Sequence, residues 1–499
     1  MIRNRYFFLC LNCVLAGLNL FLLLAVLWTT FQSGFDADEV EHAHVTWALG
    51  EGIMPYRNIH QIHMPVLWIG FSPVFQAMPN SVYTLLTARA VCLLAFVGTY
   101  LVGLGILREV LGRLKVTQGL MMLMLCLSVL VATELYRFRP DPFMTFFSAC
   151  ALLGALRFWH KPLLYSAVSG LAVGLAASFS PKMVPFCFLM PIICIYKAIV
   201  DRSLKPLWFV IAHGAGFLTG VIPMAAWLVW HGLLKEFATW SIVRNVQMVN
   251  LGMLVLIRSL VAAVRGIAGF AVLAAIGASI LATRKRGSLD VSKHVAFSLI
   301  TSACLAFLVA LLDPNKYTYN WQIFVIPGAV LGTVALTALL QSNKSLPVKA
   351  LVVSLALVTL CAPLTRALKV GAAGIKISQG ELRRLIELTR EDGTTCLGMA
   401  PYHPIFCRDA ANLYLYWDLG FLSMEWVPEE AKPPYRALLA EALSSIERGE
   451  PDIISSIELW ELGHESGAVS DVEFRRILQA TAARYDVVSL GEKRIWMRR

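Results

Sequence analysis

The sequence predicts a polytopic α-helical membrane protein that ends in a small α/β domain. Hydrophobic residues make up 58% of the 499 positions, charged residues make up only 15%, and the mean hydropathy is +0.66. Long uncharged runs recur through the first three quarters of the chain, which a soluble enzyme of this length does not have. A more polar stretch follows from about residue 369 to the end.

Windows of about 20 apolar residues predict about eleven transmembrane helices, within a range of about ten to thirteen. No small-residue cleavage pattern follows the first run, so we interpret it as a retained helix rather than a cleaved signal. The segment 249–265 is left unassigned. The predicted spans are 6–30, 82–107, 115–134, 141–158, 163–179, 183–199, 207–230, 266–283, 294–312, 321–341 and 348–367.

Basic residues predict the orientation, because connections rich in Lys and Arg stay in the cytoplasm. Arg108 to Lys115, Lys197 to Lys205 and Arg284 to Arg286 all fall on one side of the predicted spans. The first loop, 32–81, and the tail then face outward, toward the periplasm of a bacterial inner membrane. We therefore predict a transmembrane domain over 1–369 and an extracytoplasmic α/β domain over 370–499.

The tail alternates helical and strand patterns, which favours a partly parallel sheet. The helices are predicted from "SQGELRRLIELTRED", "PYRALLAEALSSIERGE" and "DVEFRRILQATAAR", and the strands from "TTCLGMA", "PDIISSI" and the closing pair "YDVVSL" and "RIWMRR". No glycine-rich phosphate loop follows any of these strands, so we assign the tail no chemistry of its own.

Two of the eleven cysteines, Cys396 and Cys407, lie in the outward tail. An oxidising compartment favours a disulfide between them over two free thiols. Together with His403 they could instead hold a metal, but their spacing fits no zinc signature.

The net charge of +11 is largely explained by the basic cytoplasmic side, and no basic stretch is interleaved with aromatic residues as in a nucleic-acid groove. Nucleic acid is therefore excluded as a partner. The rule that basic connections stay in the cytoplasm does not explain, however, why cations also occur at the outward ends of predicted helices. These cations are Arg57, Arg137, Arg139, Lys182, Arg244 and Lys316.

The first loop opens with "DADEVEHAH". In a helix, Asp38 and His42 share one face and Glu39 lies beside them, so carboxylate and imidazole groups converge. Partial desolvation at a membrane boundary suits a carboxylate that accepts a proton as a general base. The alternative is a cluster of helix-capping and dipole-favouring acids, which we prefer for Asp36 and Glu41.

The loop continues as "GEGIMPYRNIHQIHMP", which turns at Gly52 and Pro55 before a new apolar run. It carries Arg57, His60 and His63. Histidines three apart could bind a metal together with a carboxylate, or donate hydrogen bonds to a phosphate. The spacing leaves both interpretations open, beside simple packing.

Three further outward corners carry cations or tyrosines: "RPD" at Arg139 to Asp141, "SPK" at Ser180 to Lys182, and "NKYTYN" with Tyr317 and Tyr319. Prolines break the helices at the first two corners. Arg139 and Lys182 could be snorkelling anchors, and the tyrosines an interfacial belt.

The chain resembles the integral-membrane glycosyltransferases of the C superfamily, which include protein O-mannosyltransferases and lipid A aminoarabinose transferases. The resemblance covers roughly residues 1–370. It rests on the Asp38–Glu39 pair, the "HVTWALGEGIMPYRNIHQIHMP" continuation, and the "RPD" and "SPK" corners, in that order and on one side of the membrane.

The resemblance implies an enzyme that moves a sugar from a polyprenyl-phosphate donor to a glycan, lipid or protein acceptor. Asp38 matches the family's catalytic aspartate, and direct attack would invert the anomeric carbon. Glu39 and His42 would position Asp38 or the acceptor. The donor phosphate would be bound by Arg57, His63, Arg139, Lys182, Tyr317 and Tyr319. No cofactor is required, although a divalent metal is compatible with the extra histidines.

Two other classes fit the composition. A secondary transporter for an anionic or lipid-linked solute also combines broken helices with intramembrane charges, but here the charges sit at one interface and the two halves do not correspond. An assembly or sensing protein that works through its tail needs fewer spans. Side-chain types identify neither the sugar nor the acceptor.

Overall fold

The computed structural model describes most of the chain. The described residues are 2–244, 270–283, 292–312, 318–342, 376–390, 393–398, 400–411, 432–455, 457–491 and 493–499, with single positions 347, 349, 422 and 429. Two compact units form. The first unit contains Met1–Thr30, Ala90–Met224 and Leu251–Ala372, and the second unit contains Phe31–Arg89, Ala225–Asn250 and Ala373–Arg499. The division predicted after residue 369 falls outside the described residues and stays a prediction.

The described residues in the first three quarters of the chain are mainly helical. In chain order the helices are α1 (Ile2–Gln32), α2 (Ala37–Gly50), α3 (Val66–Ala77), α4 (Val82–Leu111), α5 (Val116–Thr133), α6 (Asp141–Arg157), α7 (Pro162–Phe179), α8 (Leu189–Asp201), α9 (Trp208–Trp230), α10 (Leu234–Phe237), α11 (Phe270–Ala282), α12 (Lys293–Leu312) and α13 (Val325–Gln341). Tighter 3₁₀ turns cover Pro181–Phe188, Lys205–Leu207 and Thr318–Phe324, and a π-helix covers Ala238–Arg244.

Among the described residues, seven helices are long and apolar enough to cross a membrane. They are Tyr6–Gln32, Val82–Leu111, Pro162–Phe179, Pro181–Asp201, Lys205–Trp230, Lys293–Leu311 and Trp321–Gln341, and they match seven predicted spans. The predicted spans at 115–134, 141–158 and 266–283 correspond to the shorter α5, α6 and α11. The span at 348–367 lies outside the described residues. The class, a multi-pass helical membrane protein, is confirmed.

Small residues bring helices of the first unit together. A Cβ added at Gly170 of α7 would collide with the carbonyl oxygen of His213, and one added at Gly216 of α9 would collide with that of Ala167. Between membrane helices such close backbone approach supplies the dispersion contacts that hydrophobic burial supplies in water. An apolar core drawn from α1, α4 to α8 and α11 to α13 completes this unit.

The second unit contains two sheets. A two-stranded antiparallel sheet pairs β1 (Phe35–Asp36) of the first loop with β2 (Lys376–Ile377) of the tail. The tail sheet has the order β4-β3-β5-β7-β6, with β3 parallel to both neighbours and β7 antiparallel to both of its neighbours. Its strands are β3 (Thr395–Leu397), β4 (Arg408–Asp409), β5 (Ile453–Ile454), β6 (Tyr485–Leu490) and β7 (Lys493–Arg498).

Two of the four described tail helices begin at a capping serine. They are α14 (Gln379–Leu388), α15 (Pro433–Arg448), α16 (Ile457–Glu465) and α17 (Asp471–Arg484). Ser378 and Ser470 each accept a hydrogen bond from the backbone of a glutamate three residues later, in a reciprocal capping box. The partly parallel α/β tail is thus confirmed, whereas α16 and the short strands β1, β2 and β4 were not predicted.

Candidate active site

Helix α2 presents the acidic end of the first loop. Asp36 is its N-cap: its carboxylate accepts a hydrogen bond from the Glu39 backbone at 2.9 Å, and Glu39 completes the capping box. The capping role preferred for Asp36 is confirmed. Asp38 lies in the first turn and is partly exposed, whereas Glu39 is buried. Of these three acids, Asp38 therefore combines solvent access with a position on the helix itself.

Glu39 forms a buried, two-pronged ion pair with Arg89 of α4. Arg89 Nε donates to Glu39 Oε1 at 2.7 Å, and its terminal nitrogen donates to Oε2 at 2.7 Å. Arg89 also donates to the carbonyl oxygens of Ser33 and Gly34 and lies over the ring of Phe35. Both side chains are at most 1% exposed. Such bidentate, charge-assisted bonds fix geometry, so Arg89 anchors the corner that leads into α2.

Sequence reasoning did not single out Arg89. The signal was present, since an arginine eight positions into an apolar run is an ionisable residue within a span and marks a functional or structural partner. Its partner, Glu39, is 50 residues away, and no sequence pattern connects the two.

His42 and His63 lie close together in the second unit, with ring centroids 4.9 Å apart. The indole N–H of Trp68 donates to His42 Nδ1 at 3.1 Å. His63 Nε2 lies 3.6 Å from Glu41 Oε1, and the His63 side chain is 37% exposed while that of Glu41 is buried. Glu41 thus contacts His63, and it lies beyond the first turn of α2, whose acidic residues are Asp38 and Glu39.

Arg57 lies at an exposed position of the same unit. It donates to the carbonyl oxygen of Gly232 at 2.7 Å and to Glu236 Oε1 at 3.3 Å. The side chains of Arg57 and Glu236 are 46% and 33% exposed. An ion pair this open to water contributes less than about 1 kcal/mol, so Arg57 can change partners at low cost.

The first unit holds the other predicted phosphate ligands. Arg139 is buried just before α6, and Lys182 is partly exposed at the start of the 3₁₀ turn Pro181–Phe188. Tyr317 lies outside the described residues, and Tyr319 belongs to the 3₁₀ turn Thr318–Phe324, where its side chain is not described. The predicted roles of these residues stay predictions.

A second polar cluster ties α2 to the tail. His44 Nε2 lies 2.7 Å from Asp409 Oδ2, and His403 Nε2 lies 2.8 Å from Asp409 Oδ1. Both histidines are at most 1% exposed and Asp409 is 10% exposed. One carboxylate therefore bridges two imidazoles, one from the first loop and one from the tail.

The backbone of Ile405 determines the protons in this cluster. His44 Nδ1 faces the Ile405 carbonyl at 2.6 Å, and the Ile405 N–H donates to His403 Nδ1 at 2.9 Å. Since the Ile405 carbonyl oxygen only accepts, His44 Nδ1 is the donor in that contact. His403 accepts at Nδ1 and donates from Nε2, so it is neutral.

Electrostatics agrees with this assignment. Burial, together with the charge of His44, lowers the pKa of His403 to about 4. Burial alone would raise the pKa of Asp409, but the His44 charge and the bonds from both imidazoles hold it well below its ordinary range. At neutral pH His403 is therefore neutral and Asp409 is ionised.

The loop that supplies His403 and Ile405 is closed by a disulfide. Cys396 and Cys407 are joined, as the outward tail predicts. Ile405 has a φ of 69°, which for a β-branched residue is strained and costs on the order of 1–3 kcal/mol. The disulfide and the two histidine contacts hold the backbone in this conformation.

The same three side chains are also of a type that binds divalent metals. His44, His403 and Asp409 offer one ligand atom each, all within 4.8 Å of one another. A metal would replace the His44 Nε2 proton and leave its Nδ1–H on Ile405, an outer contact common for metal-bound histidine. His403 would need a proton at Nδ1, facing the Ile405 N–H. The metal-bound and hydrogen-bonded arrangements are therefore alternatives.

The fold defines a class: this is a multi-pass helical membrane protein with a small α/β sheet in its tail. The chain is similar to the oligosaccharyltransferase AglB from Archaeoglobus fulgidus in complex with an inhibitory peptide and a dolichol-phosphate, with a TM-score of 0.55 at 12% identity over 99% of this chain and 74% of that chain. The apo form of the Archaeoglobus fulgidus enzyme gives a TM-score of 0.53 at 13% identity over 91% and 70%.

A bacterial protein is similar too. ArnT from Cupriavidus metallidurans in the apo state has a TM-score of 0.50 at 14% identity, over 75% of this chain and 69% of that chain. No protein-family model and no curated protein sequence matches the chain. At these identities the similarity shows the fold alone, and in fold it agrees with the resemblance drawn from the sequence.

Proposed function

We propose that this protein is a membrane glycosyltransferase that moves a sugar from a polyprenyl-phosphate donor to an acceptor on the extracytoplasmic face of the bacterial inner membrane. The observation that carries the proposal is the likeness of almost the whole chain to an oligosaccharyltransferase whose structure holds a dolichol-phosphate. Asp38 is partly exposed and precedes Glu39 of the buried Glu39–Arg89 pair, and we assign it the part of the base.

In the proposed reaction Asp38 removes the proton of the acceptor nucleophile as that atom attacks the anomeric carbon. The bond between the anomeric carbon and the phosphate oxygen breaks, and the polyprenyl phosphate leaves with the electron pair. Attack opposite the leaving group inverts the configuration. Glu39 takes a positional part, because both of its oxygens bond to Arg89.

Cations offset the charge that develops on the departing phosphate in this scheme. As the resemblance implies, we assign this part to Arg57, His63, Arg139 and Lys182, and a part in donor binding to Tyr317 and Tyr319. Arg57 would exchange Glu236 for the phosphate, and the exposure of that pair (46% and 33%) keeps the cost of the exchange small.

The proposed transfer requires no metal, because the leaving phosphate is neutralised by side chains. A divalent ion remains compatible with the cluster of His44, His403 and Asp409. One structure of the Archaeoglobus fulgidus enzyme is a complex with Zn and sulfate. An ion in this chain's cluster would fasten α2 to the tail rather than activate the acceptor.

Two substitutions test the base. Asp38→Asn removes the proton acceptor and should lower the transfer rate by at least about 100-fold, within the range that general bases contribute. Asp36→Asn is the matched control, since asparagine caps a helix as well as aspartate does, and it should stay within a few-fold of the unmodified protein. The measurement is consumption of radiolabelled polyprenyl-phosphate sugars by proteoliposomes.

Three results would count against the proposal. Full activity of Asp38→Asn would remove Asp38 as the base, and loss of activity in Asp36→Asn alone would point to Asp36. Movement of solute across the vesicles without consumption of any lipid-linked sugar would support the transporter.

A further inference from the structure

Trp159, Lys197 and His294 form a cluster where three helices of the first unit end, and the proposed reaction does not use them. Trp159 follows α6, Lys197 lies near the end of α8, and His294 is the second residue of α12. The rings of Trp159 and His294 are stacked, with centroids 4.3 Å apart and an interplanar angle of 25°. Lys197 Nζ lies 5.0 Å from the centroid of the Trp159 ring. We call these three residues the helix-end cluster.

Two ring nitrogens of the helix-end cluster are buried without hydrogen bonds. Trp159 Nε1 and His294 Nδ1 are shielded from solvent, and neither has a hydrogen-bond partner among the described residues. An indole N–H can only donate, and an imidazole nitrogen donates in one of its tautomers. Leaving a buried donor unpaired is costly, so the cluster calls for an acceptor.

The charges around the helix-end cluster favour an anion as that acceptor. Lys197 Nζ pairs with Asp201 at 2.9 Å, but the two side chains are 22% and 40% exposed, so this pair can separate at small cost. Glu109, at the end of α4, is engaged by Arg157 at 2.8 Å. Helix α12 begins beside the cluster, and the positive end of its dipole favours negative charge.

The location of the helix-end cluster indicates where the anion comes from. The apolar helices Pro181–Asp201 and Lys293–Leu311 are both long enough to cross a membrane, so their ends at the cluster lie at the level of the lipid headgroups. Basic pockets between membrane helices on the cytoplasmic side bind phosphate headgroups. The basic residues from Lys197 to Lys205 predict that side here.

An interfacial belt is the alternative explanation for a tryptophan at a helix end. Trp208, the first residue of α9, fits that explanation, because it is 71% exposed. Trp159 differs, because its ring is stacked on His294 and its N–H is shielded. A headgroup held between helices accounts for these contacts, and a lipid-facing belt does not.

We propose that the helix-end cluster binds the phosphate of a membrane phospholipid. When Lys197 leaves Asp201, its ammonium and the indole N–H of Trp159 donate to phosphate oxygens, and His294 Nδ1 donates a third hydrogen bond. The proposal does not depend on the proposed transfer reaction. It adds a lipid-binding site at the ends of α6, α8 and α12.

Thermal unfolding of the purified protein in detergent, with lipid added, tests the site. Phosphatidylglycerol should raise the unfolding midpoint, because a ligand that binds the folded state stabilises it. Dioleoylglycerol, which has acyl chains but no phosphate, should not. Trp159→Phe removes the N–H and keeps an aromatic ring, and Lys197→Met removes the ammonium. Each should weaken phosphatidylglycerol binding about tenfold, the loss expected for one hydrogen bond to a charged group.

Trp208→Phe and Lys205→Met are the matched controls, because they change the same residue types at exposed positions of neighbouring helix ends. Both should bind phosphatidylglycerol as the unmodified protein does. An equal loss in the controls would overturn the proposal in favour of an interfacial belt, and an equal shift with dioleoylglycerol would assign the binding to the acyl chains. A shift with inorganic phosphate but not with phosphatidylglycerol would overturn the lipid assignment in favour of a free phosphate. If one cluster variant does not fold, the other decides.

Discussion

The ion pair between Glu39 and Arg89 is buried, and its two members depend on each other. Both side chains are at most 1% exposed, so neither charge is solvated if the other is removed. Arg89 also donates to the carbonyl oxygens of Ser33 and Gly34, which hold the chain between α1 and α2. The start of α2, and with it Asp38, is therefore set by a residue of another helix.

Arg89→Met should destabilise the protein by about 3–5 kcal/mol, because it leaves a buried, unpaired carboxylate. The double variant Arg89→Met, Glu39→Leu should recover most of this loss, because no charge is then left without its partner. Thermal unfolding in detergent or nanodiscs measures both effects.

Arg57→Met is the control for this comparison. Its pair with Glu236 is 46% and 33% exposed, so its removal should cost less than about 1 kcal/mol. If Arg89→Met were as mild as Arg57→Met, the Glu39–Arg89 pair would not hold the corner.

The contact between α2 and the disulfide-closed loop depends on pH through His403. Its pKa is lowered to about 4, whereas an unfolded histidine titrates near 6.5. As the pH falls below about 6.5, this histidine binds a proton in the unfolded chain. In the folded protein His403 binds a proton only at about pH 4 and below. Stability is therefore present above pH 6.5 and declines by about 3 kcal/mol between these two values. The pKa of Asp409 is held below its ordinary range. The ionised Asp409 therefore also stabilises the folded protein, and this contribution is lost only at still lower pH.

We expect the thermal midpoint of the unmodified protein to drop between pH 7 and pH 4.5. His403→Gln should lower the midpoint at pH 7 but flatten the slope over this window, because glutamine does not titrate. His464→Gln should leave the slope unchanged, since His464 is 33% exposed and pairs with Asp471, which is 77% exposed. An undiminished slope in His403→Gln would assign the pH dependence to another group.

The elements that sequence reasoning predicted are those with a long, repeated signal. Apolar runs gave seven of the spans, and the alternation of helices and strands gave the partly parallel tail sheet. The pairing of β1 with β2 was not predictable, because two-residue strands carry no alternation and Phe35 and Ile377 are far apart in sequence. His44 and Asp409 are likewise 365 positions apart.

The candidate site was predictable in its residue types and less so in their partners. Asp36, Asp38 and Glu39 are adjacent in sequence, and helix-capping rules correctly assign the first to the cap. Nothing in the sequence indicates that Glu39 forms an ion pair with Arg89, or that His42 accepts a hydrogen bond from Trp68. These contacts depend on helix packing, which local periodicity does not specify.

Two independent features predict the orientation of the chain in the membrane. Basic residues collect at connections such as Arg108 to Lys115, which favours a cytoplasmic location for those connections. The tail carries the Cys396–Cys407 disulfide, which persists in oxidising compartments and is reduced in the cytosol. Charge and redox chemistry thus predict opposite sides of the membrane for the α4–α5 connection and the tail.

Reporter fusions test this orientation in bacterial cells. Alkaline phosphatase, which needs disulfides, should be active when joined after Arg499 and inactive when joined after Arg113, in the connection between α4 and α5. A green fluorescent protein that is exported unfolded does not fluoresce. It should therefore fluoresce when joined after Arg113 and stay dark when joined after Arg499. Phosphatase activity after Arg113 together with fluorescence after Arg499 would mean that the chain has the opposite orientation in the membrane, with Asp38 on the cytoplasmic side. That result would be incompatible with transfer on the extracytoplasmic face, because the proposed base would lie on the opposite side of the membrane.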